Sequence, residues 1–142
     1  MKIELYEENE AIKIEKIKQL ENEMQINLPL EYIDFMLEQN GGYPKISEFD
    51  LPDGSNSSIV NYFYPIGKIK GNLKDKNDIF DGEITDDFIT IGCDSAGNQI
   101  LLRIRGEYCG ELYFWDHDVD PEEENNMHFL AKSLYEFLKM LK

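Results

Sequence analysis

The order of patterns along this chain predicts an α+β fold: an antiparallel β-sheet meander with an N-terminal helix pair and a C-terminal helix packed on it. Two stretches of helical periodicity come first. From Phe88 to Trp115 apolar alternation is broken twice by Gly-containing turns, which reads as three short strands. An apolar stripe at helical spacing then closes the chain. Helices followed by strands argue for segregated layers rather than alternating βα units.

The elements follow in order. Ile14, Ile17, Leu20 and Met24 recur at near-helical spacing between Lys and Glu, which predicts a first helix over residues 10–24. Asn27-Leu28-Pro29 interrupts it. Pro29 suits a first helical position, where its missing N–H is no loss. A second helix is predicted from Leu30 to Gln39. Leu30, Ile33, Met36 and Leu37 form its stripe, and Tyr32 and Phe35 broaden it. Asn40-Gly41-Gly42 stops it, because Gly adopts the left-handed conformation that ends helices. Residues 43–58 read as loop, with Pro44, Pro52 and Asp53-Gly54-Ser55-Asn56. Ile59 to Ile66 is aromatic and β-branched and reads as a strand. A short helix is expected around Leu73 to Phe80.

Phe88–Cys93, Gln99–Arg105 and Glu111–Trp115 are the three strands of the meander. In the middle one Ile100, Leu102 and Ile104 face the core, while Arg103 and Arg105 face out and pair with acids such as Glu111. Trp115 reads as core, with an interface anchor as the alternative. A last helix is predicted over residues 126–141. Leu130, Leu134, Phe137, Leu138 and Leu141 form its face, and Glu122-Glu123-Glu124 precede its positive end.

Length predicts a single domain, residues 1–142. Hydrophobic content of 42% and aromatic content of 12% fit a folded globule. No apolar run reaches the ~18 residues of a membrane span. The charged N-terminus has no apolar signal core, so the expected location is cytoplasmic. Charge is the strong signal: 14 basic against 29 acidic residues give −15. From Asn77 to Ala131 fourteen Asp or Glu face only two bases, Arg103 and Arg105. Such a surface repels nucleic-acid backbones and anionic membranes. It attracts a basic protein and accelerates its capture. Plain solubility is the bland alternative.

Chemistry is hard to find. Asp116-His117-Asp118-Val119-Asp120 resembles the start of a calcium loop. The sixth position needs Gly and the twelfth needs Glu; they are Pro121 and Met127. Cys93 and Cys109 read as reduced thiols, with a disulfide across the meander less expected. Together with His117 and His128 they lack zinc-ligand spacing. There is no Gly-x-Ser-x-Gly elbow and no phosphate-binding Gly-Lys loop. No catalytic residue, metal or cofactor is expected.

Three segments together resemble a known family. The first holds Leu28-Pro29, Tyr32, Phe35 and Asn40-Gly41-Gly42. The second holds Ile91-Gly92-Cys93-Asp94, Gly97-Asn98 and Tyr113 to Asp116. The third holds Ser133, Phe137 and Leu138. The chain resembles the SMI1/KNR4 family, or SUKH superfamily, over roughly residues 12–141, with Asn40 to Phe88 poorly matched. The resemblance implies a non-enzymatic role. Bacterial members are mostly immunity proteins that bind a cognate secreted toxin, often one that attacks nucleic acid. Eukaryotic members resemble scaffolds of cell-wall signalling, and a regulatory binding module is the alternative here. The chain shows no long low-complexity flanks, which favours the immunity branch. The expected partner is a basic toxin domain. Its expected contacts are acids of the 78–87 and 116–124 loops: Asp86, Asp87, Asp116, Asp118, Asp120, Glu122 and Glu123.

Overall fold

The computed structural model describes residues 1–120 and 126–142. Among the described residues four helices pack around a six-stranded antiparallel sheet whose strand order is the chain order. Helix α1 (Ile14–Met24) buries Ile17 and Leu20 and ends where Gln25 turns left-handed at φ 56°. It starts later than residue 10. The preceding chain runs extended instead: Tyr6 N donates to Tyr43 O, and Lys45 N to Glu4 O. Helix α2 (Leu30–Glu38) buries Tyr32, Phe35 and Met36. Pro29 is its cap rather than its first residue. The stripe expected to include Leu30 is rotated, and Leu30 is 79% exposed.

Tyr32 is buried deeply enough to push its phenol pKa up, and its hydroxyl has no partner among the described residues. An unsatisfied buried hydroxyl is a liability rather than a bond. Tyr32→Phe is therefore expected to raise stability by about 1 kcal/mol, read as a higher urea midpoint at unchanged m-value. A lower midpoint would mean the hydroxyl has a partner.

The expected loop over residues 43–58 contains strand β1 (Glu48–Asp50) and the start of β2 (Ser57–Phe63). Phe49 explains β1: it is fully buried against Phe137 at 5.2 Å and Phe114 at 6.0 Å. The expected short helix is α3 (Leu73–Ile79), capped by the Asn72 side chain, which accepts from Asp75 N. The meander is β3 (Phe88–Asp94), β4 (Gln99–Arg103) and β5 (Leu112–Trp115).

The long C-terminal helix is corrected. Residues Met127–Ala131 form strand β6, paired with β5, and helix α4 covers only Leu134–Met140. Ladder bonds to β5 hold the first half extended. Ser133 then starts the helix by accepting from Glu136 N at 3.2 Å. Glu122-Glu123-Glu124 lie outside the described residues.

One face of the sheet carries the main core: Ile100, Leu102, Ile104, Leu112 and Phe114 join α1, α2 and α4 there. On the other face Leu101 and Trp115 are also buried, and Phe80 meets the Trp115 ring edge-on at 5.4 Å. Trp115 is thus core. The sheet curls, bringing its ends close to other chain. Lys142 exchanges backbone hydrogen bonds with Glu48, and His128 of β6 bonds Asp53 at 2.6 Å. Ser55 first, and then His128, hold the Asp53 carboxyl down at about 2.

Candidate partner-binding surface

Antiparallel pairing decides where the acids lie. Phe88 pairs with Arg103, so Asp86 and Asp87 sit at the Arg103 end of the sheet. Gln99 pairs with Trp115, so Asp116, Asp118 and Asp120 sit at the opposite end. The seven residues of β3 separate the two groups, about 20 Å at ~3.3 Å per residue. Glu122 and Glu123 lie outside the described residues. The described acids among the expected contacts therefore occupy two ends.

The two ends differ in how far their acids are already engaged. At the Trp115 end the Asp116 carboxylate accepts from Asp118 N at 3.1 Å. Asp118 Oδ1 lies 3.3 Å from His117 Nε2, and Asp120 has partners too. Asn98 Oδ1 holds both the backbone and the ring of His117. Asp94, buried at the neighbouring turn, accepts from Ala96 N, Asn98 N, Asn98 Nδ2 and Ser58 Oγ. So Asp94, Gly97, Asn98 and Asp116 shape loops. Ligand atoms of Asp116, His117 and Asp118 lie within 4.8 Å of one another, but these exposed groups are engaged by their own loop.

At the Arg103 end the carboxylates of Asp81, Asp86 and Asp87 are exposed. They meet no donor or cation among the described residues. A groove of about 290 Å³ opens beside them, between the end of α1, α3 and the start of β3. Ile26, Phe80, Ile84, Phe88 and Ile104 line it together with Glu23, Asp78, Asp81 and Asp86, and its exposed surface is mostly polar. Lys74 is matched to Asp78 at 3.1 Å. Arg105 donates to the Asp86 and Gln25 carbonyls at 3.0 and 3.4 Å, so it braces the groove instead of pairing across the strand. Arg103 does pair across it, with Glu111 at 3.9 Å, and lies 4.6 Å over the Phe88 ring.

Asn77 explains why α3 sits there. Beyond the reach of β2, its amide donates to Thr90 O at 3.0 Å and accepts from Thr90 N at 2.9 Å. A side chain thus replaces a neighbouring strand. Cys93 is buried and its burial pushes the thiol pKa up, which keeps it protonated and unreactive at neutral pH. Cys109 is exposed and both cysteines are free. Among the described residues no helix is long and apolar enough to cross a membrane.

Fold and surface together define an acidic α+β protein built on an antiparallel meander. The chain belongs to the SMI1 / KNR4 family (SUKH-1), whose sequence model matches residues 11–140. It is also similar to the SPbeta prophage-derived uncharacterized protein YokK of Bacillus subtilis (strain 168). The two are 23% identical over 141 residues, covering 87% of this chain and 71% of that one. No solved structure matches the chain.

Proposed function

We propose that this chain is a non-enzymatic, single-domain immunity protein of bacterial type. It binds and neutralises a cognate secreted toxin, one that acts on nucleic acid, through acidic surface. The observation that carries this reading is membership of the SMI1 / KNR4 family over residues 11–140. Bacterial members of that family are mostly immunity proteins. Similarity to a prophage-derived protein fits a gene carried on mobile DNA.

Physical chemistry supports the same reading. A toxin that holds nucleic acid presents a basic surface to phosphates, and a net charge of −15 competes for that surface. Steering by such a field raises association rates towards the diffusion limit at low salt. No cofactor enters this role, and the partner is a protein in the same compartment, the cytoplasm.

A pull-down with the tagged chain as bait, read by mass spectrometry, tests it. The expected result is one basic toxin domain, held at low salt and weakened at high salt, whose toxicity is relieved by co-expression of the chain. Recovery of several envelope or housekeeping proteins without such a toxin would replace this reading with a regulatory scaffold.

A further inference from the structure

The two acidic ends invite different roles. Fully exposed charges on an interface rim mainly steer, whereas affinity comes from anchors that are desolvated in a pocket. The 116–120 loop fits the first description. Its carboxylates are already engaged, and Val119, its one apolar side chain, is half-buried. The groove at the Arg103 end fits the second. Apolar side chains line part of it, and the exposed Asp81 and Asp86 line it too.

We infer that this groove is the anchor site for the protein partner and takes an arginine or lysine side chain from it. The aliphatic stem would lie on Ile26, Ile84 and Ile104. The cationic head would reach Asp81 and Asp86, two of the lining carboxylates that form no ion pair among the described residues. Long basic side chains are suited to this division between apolar stem and charged head. Of the two cations in the lining, Lys74 is paired with Asp78, and Arg105 donates to the Asp86 and Gln25 carbonyls rather than to a carboxylate. The 116–120 loop then steers the encounter from the far end.

The inference rests on the partner-binding reading, and its test is arranged so that the two can fail separately. The probe is a capped peptide, Ala-Arg-Leu-Arg-Ala, titrated into ¹⁵N-labelled protein, with its glutamate counterpart as control. Amide shifts should concentrate on Ile26, Ile84, Asp86 and Arg105 and saturate with a Kd on the order of millimolar, as one anchor alone would give. Asp81→Lys with Asp86→Lys should weaken binding about tenfold or more. Asp116→Lys with Asp118→Lys should change it less than about twofold at physiological salt. All four positions except the half-buried Asp116 are exposed, and unchanged circular dichroism will verify folding.

Shifts centred on the 116–120 loop, spread evenly over the acids, or never saturating would overturn the groove assignment. So would toxin binding by the Asp81→Lys, Asp86→Lys variant at undiminished affinity, and that result would leave the immunity reading intact. Saturable binding in the groove by a chain that protects against no toxin would remove the immunity reading instead.

Discussion

Replacing Asn40 with alanine is expected to lower stability by about 3 kcal/mol, among the larger effects of a single substitution in this fold. Asn40 is 2% exposed and works as an adaptor between segments. Its amide donates to Ile66 O at 2.8 Å and Glu10 O at 3.2 Å, and its carbonyl accepts from Ile66 N at 2.8 Å. Alanine would leave both backbone groups of Ile66 buried without partners, at roughly 1–3 kcal/mol each. The Glu10 carbonyl, nearer the surface, can turn to water. Urea unfolding measures the loss, with the exposed Asn27→Ala as reference within about 0.5 kcal/mol of the parent. A loss for Asn40→Ala below about 1 kcal/mol would show that water replaces the side chain.

Gly41→Ala should be about as damaging, for a different reason. Gly41 sits at φ +67°, and an added Cβ would stand 2.5 Å from Phe63 O and 2.9 Å from the Tyr64 carbonyl. Those are backbone atoms of or beside β2, so no rotamer change can make room. The same loop is tied to β2 by Gly42 N to Phe63 O and Phe63 N to Gly42 O, each 2.9 Å. A shift that relieves the clash pulls on that pair. Gly82 provides the control. It too has positive φ, +86°, but a Cβ there meets nothing within 4 Å. Gly82→Ala should therefore show backbone strain alone, about 1 kcal/mol, while Gly41→Ala loses about 3 kcal/mol or more. Equal losses would mean the clash is absorbed and only conformation matters.

These two positions belong to the motif that made the fold legible. Asn40-Gly41-Gly42 marks the end of α2 in the sequence, although the helix closes on an extended Gln39 and the first left-handed glycine, Gly41, comes two residues later. The strands from Phe88 to Trp115 were readable because Gly-containing turns frame clean alternation. Strand β1 was not readable. It is three residues long, set among Pro, Gly and Ser, and only the contacts of Phe49 reveal it. Strand β6 was hidden by its own neighbours. Leu130 falls in phase with Leu134, Phe137 and Leu138, so a strand and a helix merge into one apparent stripe. The signal that separates them, Ser133 three residues before Glu136, was present and outweighed by periodicity.

The surface shows the same division. Acid content is a property of composition and is plain in the sequence. The division of those acids between two ends depends on strand pairing, which no single segment records. Asp78, Asp81 and Glu83 lie in the expected 78–87 loop, but Asp81 gains interest only because Ile26 and Ile104 come from distant segments to line the same groove.

Strand order follows chain order in this sheet, so each link between strands joins immediate neighbours and none crosses over. Links of that kind can lengthen or change composition without disturbing which strand pairs with which. Doubling a flexible link adds only about 0.6 kcal/mol of closure entropy. Both acidic regions, residues 81–87 and 116–120, are such links or flank them. The composition of both acidic regions can therefore change while the strand pairing beneath them is kept, so the surface that meets a partner is free of the constraints that hold the sheet.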